Sequence, residues 1–508
     1  MLFNSWEFLV LLVVTFAAYY APWSGGRHGK AWQVSIALLA SVIFYGWEDP
    51  RLLLLLAVSC VGNSIATGRI ILHKLSGDDA KVKRWVRTAV ILNLALLGVF
   101  KYAPFFAGML PFLPTQWVEA LRGIPLPIGI SFYTFHGISM IIDVARGEVI
   151  RESDALMSGG EGAADEQGRN TAGKSRLGIL WGYGLRFAKG VRDIGFYLLF
   201  FPQLVAGPIV KAKQFWPQIA SKRFADIAWG AALRSLILGY FLKMVVADNL
   251  AEQTVTLTKP WLVFAGPVDL VMLLYGYSLQ IFADFAGYSL IAIGLAALFG
   301  YRFPENFDFP YLSTSVTEFW RRWHMSLSAW LRDYLYIPLG GNRKGEARTY
   351  VNLFLVMFLG GLWHGAEWKF ALWGSLHGLL LAAERFFFRR RGKDERPRPM
   401  RAVLGWFYTF HAVTLLWLTF LMPDMRQIGL FFKQLAGPLH MAGPPVFVAA
   451  VFGSAVVLYH VAGWVREHRR DWFADFRGSW CEALIYGGLL FLIFTNSGAP
   501  QGFIYFQF

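Results

Sequence analysis

Cysteine is almost absent: the 508 residues include two, Cys60 and Cys481, each at the edge of an apolar stretch. A disulfide framework and a cysteine-rich metal site are thereby excluded. Charge is scarce too. Asp, Glu, Lys and Arg make up 16% of the chain, against about 25% in soluble globular proteins, so several water-exposed domains would lack surface charge. No HExxH pair, Walker loop or nucleophile elbow occurs, and no carboxylate or Cys/His cluster suggests a metal. No internal repeat is visible, which weighs against a transporter built from inverted halves.

What the chain holds in quantity is apolar, with 56% hydrophobic and 17% aromatic residues. It reads as an all-α, polytopic transmembrane bundle, a single integral-membrane domain over 1–508, since helices satisfy their own backbone in lipid. The N-terminal run MLFNSWEFLVLLVVTFAAYYAP carries Glu7 and no basic n-region, and so reads as a retained span rather than a cleaved signal. Further apolar segments lie at 31–46, 51–67, 85–103, 124–144, 227–250, 262–283, 285–300, 350–363, 366–388, 403–422, 446–465 and 482–496. Each crosses, or nearly crosses, about 30 Å of hydrocarbon, which makes about 11–13 spans. IPLPIGISFYTF (124–135) and YLLFFPQLVAGPIV (197–210) are interrupted by Pro and Gly. Irregular backbone at membrane depth is tolerated only under cover of protein or beside water, so these read as re-entrant or kinked elements around a central polar cavity. Residues 151–176, rich in Gly, Ala, Ser, Glu and Asp, read as a polar flexible loop.

The 48 Lys and Arg outnumber the 33 Asp and Glu, for a net charge of +15. They sit in short runs between apolar segments, where they set topology and meet anionic lipid; no basic patch belongs to a soluble module, so nucleic acid is not an expected partner. The richest runs, 69–87, 385–401 and 464–478, are expected on the cytoplasmic side. That places GLWHGAEW (361–368) toward the outside and both termini in the periplasm.

Three groups of polar residues sit in apolar surroundings, where they are costly. Gln280, Asp284 and Tyr288 recur every four residues, beside Tyr277, and share a helix face. They read either as an interhelical hydrogen-bond network or as the lining of a cavity near a substrate. In FWRRWHMSLSAWLRDYLYIPLGGNR (319–343), Arg321, His324 and Ser328 fall on adjacent helical turns. An aromatic helix at the membrane interface accounts for the Trp residues, less well for His324. Arg321 and Arg322, with Lys344 and Arg348, suit phosphate groups or topology equally. In GGLWHGAEWKFALWGSLHG (360–378), His364 lies beside Trp363 at the junction of two spans. A lone histidine there is more often structural; imidazole's ability to exchange a proton near neutral pH, and Gly360, Gly361 and Gly365 allowing close approach, favour a base. His377 and His136 read as structural.

These motifs, with FFPQLVAGPIVKAKQF (200–215), FADFAGYSLIAIGLA (282–296) and the closing IYFQF (504–508), resemble the bacterial alginate O-acetylase branch of the membrane-bound O-acyltransferase superfamily, from the first span to the last residue. The resemblance implies a funnel-shaped helical enzyme with a tunnel between the two membrane faces. It matches His364 to the family's invariant histidine and His324 to its second polar position. It also implies an enzyme of the inner membrane that moves an acetyl group, from cytoplasmic acetyl-CoA as substrate rather than bound cofactor, to an exported polysaccharide such as alginate, with an esterase-like periplasmic partner protein. Two departures bear on the acceptor: the loop at 151–176 is long for the family, and His136 stands where relatives often carry glutamine. On this reading His364 is the general base toward an acceptor hydroxyl, His324 polarises the thioester carbonyl or holds the donor, Asp284, Tyr288 and Trp363 line the substrate path, and Arg321 and Arg322 bind the donor's phosphates. Competing readings are the same chemistry on peptidoglycan, cellulose or teichoic acid (D-alanylation), a transporter, and an anchor for a periplasmic transferase.

Overall fold

The computed structural model describes residues 1–22, 29–110, 113–123, 126–149, 176–205, 207–388, 399–439, 443–469, 471, 474 and 476–504. Residues 151–175 of the expected polar loop, 389–398 of the expected cytoplasmic run and 505–508 of the closing motif lie outside them. Among the described residues every regular element is helical. The chain divides into two compact units, Met1–Trp229 with Ala296–Phe303, and Gly230–Leu295 with Pro304–Phe508.

The first unit contains α1 (Trp6–Tyr19), α2 (Gly29–Gly46), α3 (Leu52–Leu75), α4 (Asp79–Ala107), α5 (Thr115–Arg122), α6 (Ile130–Arg146) and α7 (Arg176–Leu199). Ser5 caps α1 through the Phe8 N–H. Asn63 of α3 and Asn93 of α4 exchange amide hydrogen bonds at 3.0 and 3.2 Å, and Gly137 of α6 lets both side chains approach its backbone. In lipid, where helices gain little from hydrophobic burial against one another, such small-residue contacts and paired amides carry the packing. The Pro/Gly-broken stretch after α7 is irregular, as expected, and side chains satisfy its backbone. Ser41 Oγ accepts from the Phe201 N–H, Tyr197 donates to the Val210 carbonyl at 2.9 Å, and Ser139 Oγ accepts from the Ala212 N–H.

The second unit contains α8 (Trp229–Leu257), α9 (Pro267–Leu298), α10 (Val316–Arg322), α11 (Met325–Leu331), α12 (Glu346–His364), α13 (Trp368–Phe388), α14 (Pro399–Leu421), α15 (Met425–Leu435), α16 (Pro444–His468) and α17 (Trp480–Thr495). Six described helices, α3, α4, α8, α9, α14 and α16, are long and apolar enough to cross a membrane. Most of the remaining sequence-derived segments are helical as well. The segments at 262–283 and 285–300 are a correction: they form one 32-residue helix, α9. Asp284 does not interrupt it, because Lys243 pairs with its carboxylate at 2.8 Å and the Ile504 N–H donates to it at 2.8 Å. Lys243 lies where α8 loosens into π-helical turns over Phe241–Ala247, and it pairs with Asp248 at 2.7 Å as well.

Candidate active site

The helix expected to carry Arg321, His324 and Ser328 on adjacent turns is two helices. α10 ends at Arg322, Trp323 is extended, and His324 takes the left-handed conformation at φ 44°, ψ 52° before α11 begins at Met325. For a residue with a Cβ that conformation costs about 1–2 kcal/mol, so it persists only where the surroundings enforce it. A neighbouring strand of irregular backbone does so: the Asp308 N–H donates to the Arg322 carbonyl and the Met325 N–H to the Asn306 carbonyl, at 3.0 and 2.9 Å. Asn306 Oδ1 also accepts from the Ser326 N–H and hydroxyl, which satisfies the first turn of α11, and lies 3.0 Å from His324 Nδ1.

His324 is 1% exposed. The Phe285 ring of α9 meets it edge-on at 4.6 Å and Trp363 lies 6.1 Å away. With no counter-charge against the ring, burial pushes its pKa down to about 3. At neutral pH it is an uncharged imidazole.

His364 is the last residue of α12, and Gly365 leaves the helix in extended conformation. Rings of Trp363, Trp373 and Phe420 surround it at 5.0, 5.2 and 5.4 Å. The box exists because α12 and α13 nearly touch: a Cβ on Gly361 would strike the Phe370 carbonyl, and one on Gly374 the Met357 carbonyl. The glycines beside His364 thus serve helix packing at Gly361 and make room for the Phe370 ring at Gly365. Gly360 instead faces a cavity of about 210 Å³, lined also by His364, Trp373, Ser328, Arg332 and Tyr336. That volume suits the acyl end of a donor rather than a whole nucleotide, since pockets for drug-sized ligands run to about 300–1,000 Å³. Trp363 contacts both histidine rings, so the structure gathers His324, Trp363 and His364 at one place.

The other expected residues lie elsewhere. Asp284 and Tyr288 take part in contacts between helices. Asp284 pairs with Lys243, whose ammonium lies 5.4 Å from the Tyr288 ring centroid, and Phe503 packs on Tyr288 at 4.3 Å. Gln280 accepts from Thr254 at 2.6 Å. Arg322 is held by Glu318 and Glu467 at 3.0 and 2.6 Å; Arg321, Lys344 and Arg348 are exposed. His377 accepts from Trp320 Nε1 at 3.3 Å, and His136 is fully buried beside Tyr197, which fits structural roles. Sequence reasoning missed Asn306, Lys243, Arg332 and Tyr336. Only Lys243 left a signal, a cation in the middle of an apolar helix.

The model of the membrane-bound O-acyltransferase family matches residues 193–423, a stretch that contains Asn306, His324, Trp363 and His364. The probable alginate O-acetylase AlgI of Pseudomonas aeruginosa is 36% identical over 439 residues, 84% of this chain and 73% of that protein. This chain belongs to the membrane-bound O-acyltransferase family. The peptidoglycan O-acetyltransferase of Helicobacter pylori is 32% identical over 455 residues, 86% of this chain and 80% of that protein. The teichoic acid D-alanyltransferase of Bacillus subtilis is 22% identical over 427 residues, 81% and 95% respectively. Family membership makes the chain an acyltransferase and a multi-pass membrane protein, as the motifs and apolar helices led one to expect.

Proposed function

We propose that the chain transfers an acetyl group to hydroxyls of an exported polysaccharide, alginate or a similar exopolysaccharide. The observation that carries this reading is the packing of both His324 and His364 on Trp363, with His364 on the wall of a cavity, in a chain 36% identical to a probable alginate O-acetylase. His364 is the general base: it takes the proton of the attacking hydroxyl as the oxygen bonds to the acyl carbon, and the thiolate leaves. A positioned base of this kind contributes about 10²–10⁴-fold to rate. His324 is the second site residue. The donor is cytoplasmic acetyl-CoA, with Arg321 on the exposed face of α10 meeting its phosphates; Arg322 already has two carboxylate partners. The enzyme resides in the bacterial inner membrane with its termini in the periplasm, beside an esterase-like periplasmic partner protein.

A second acceptor comes from the peptidoglycan O-acetyltransferase, which is 32% identical over 86% of this chain, against 36% over 84% for the alginate relative. Deleting the gene and assaying O-acetyl on both polymers separates the two. Loss confined to exopolysaccharide supports the first reading, loss confined to the cell wall supports the second, and unchanged acetyl on both removes both acceptors.

A further inference from the structure

Asn306 Oδ1 gathers three polar groups: the Ser326 N–H at 3.3 Å, the Ser326 hydroxyl at 2.8 Å and His324 Nδ1 at 3.0 Å. A backbone N–H only donates, so the amide atom it meets is the oxygen; the amide nitrogen accordingly donates to Ser289 Oγ at 3.0 Å. An amide oxygen only accepts. His324 Nδ1 therefore carries the ring proton, and the lone pair of the neutral ring is on Nε2. Nε2 is buried and has no hydrogen-bond partner among the described residues, the state of an acceptor waiting for a donor.

We propose that Asn306 is a positioning residue that locks His324 in the Nδ1–H tautomer, so that His324 meets its substrate through Nε2 as a hydrogen-bond acceptor. This rests on the acyl-transfer reading and sharpens it. A ring held so cannot polarise a thioester carbonyl, which needs an N–H at Nε2; it receives a hydroxyl, thiol or amide hydrogen from the substrate. Polarisation falls to another donor, and the buried indole N–H of Trp373, on the cavity wall and without a partner among the described residues, is available. Asn306→Leu also takes the acceptor from the Ser326 N–H and hydroxyl, whereas Asn306→Asp keeps it. The Asn306 main-chain carbonyl holds the Met325 N–H whatever side chain stands at 306.

The charged and titratable groups on the surrounding elements leave the lock alone. On α9, Asp284 is paired with Lys243. On the 303–309 segment, Glu305 is exposed and Asp308 pairs with Arg466. On α10, Glu318 and Arg322 pair with each other and Arg321 is exposed. On α12, His364 is the titratable group near Trp363.

The test combines nitrogen NMR of histidine-labelled full-length protein in lipid with polymer acetylation in cells, for wild type, Asn306→Asp and Asn306→Leu at matched membrane levels. The His324 signal is assigned by its loss in His324→Gln. The expected result is a proton on Nδ1 in wild type and Asn306→Asp, whose carboxylate still accepts from the ring. Asn306→Leu shifts the proton toward Nε2 and loses acetylation by up to about 10⁴-fold, the cost of a mis-set histidine tautomer elsewhere. Asn306→Asp also separates the two roles for His324. A carboxylate raises the ring's basicity, so for an acceptor the acid side of the pH profile moves up, whereas for a protonated donor activity at low pH rises. A proton on Nε2 in wild type, wild-type acetylation by Asn306→Leu, or a gain at low pH in Asn306→Asp overturns the inference. Unchanged acetylation on deleting the gene instead removes the acyl-transfer reading, and the NMR signal still decides the tautomer.

Discussion

His324 is held in a conformation it would not choose, and its burial makes folding sensitive to acid. The ring's pKa is lowered from 6.5 to about 3. Below pH 6.5 the unfolded chain takes up a proton that the folded ring refuses, so stability contributed above pH 6.5 is lost progressively as pH falls from 6.5 toward 3. In detergent, the melting temperature of His324→Gln should therefore fall less steeply than that of wild type between pH 6.5 and pH 4.5; parallel slopes contradict this. The same scale separates two glycines one position apart. Gly361→Ala forces α12 away from the Phe370 carbonyl and should cost about 1–3 kcal/mol, the usual penalty of overpacking, read as a lower melting temperature and lower membrane level. Gly360→Ala meets only Leu331 Cδ1, at 3.3 Å, on the cavity side. It should leave the protein level unchanged and reduce acetylation; equal effects of the two substitutions would refute the distinction.

At the scale of elements, the buried Lys243–Asp248–Asp284 cluster joins α8 to α9 and, through the Gln501 carbonyl and the Ile504 N–H, holds the C-terminal segment. Phe503 in that segment packs on Phe285, whose ring supports His324. Lys243→Met leaves two buried carboxylates without their cation, which typically destabilises by about 3–5 kcal/mol; the combined change with Asp248→Asn and Asp284→Asn should recover much of it. A Lys243→Met protein that melts like wild type contradicts the assignment. The helices themselves were largely legible, since runs of apolar residues mark spans irrespective of partners. Asp284 read as a boundary because its neutralising lysine lies on another helix. The break at His324 was hidden for the same reason: α-periodic residues run through 319–331, and what interrupts them is Asn306, 18 residues upstream. His364 and Trp363 stood out from their motif, whereas the division of Gly360, Gly361 and Gly365 between cavity and packing depends on where α13 lies.

For the whole molecule, the basic runs predict an orientation that is testable without any activity. With Cys60 and Cys481 replaced by Ser, Glu367→Cys in the loop after His364, exposed in the structure, should react with a membrane-impermeant thiol reagent added from the periplasmic side. Ser76→Cys, in the basic loop 69–87, should react only after the membrane is opened. The reverse pattern would invert the chain and place the proposed base on the donor's side. The central claim is that this chain performs acetyl transfer with His364 as its base. It is tested most directly by polymer O-acetyl content in a deletion strain complemented with wild type or His364→Ala, at equal membrane levels by immunoblot. Wild type should restore acetylation and His364→Ala should lower it by at least about 100-fold, the scale of a lost general base. Full acetylation by His364→Ala would contradict the account, leaving His364 as a packing residue within its box of Trp363, Trp373 and Phe420.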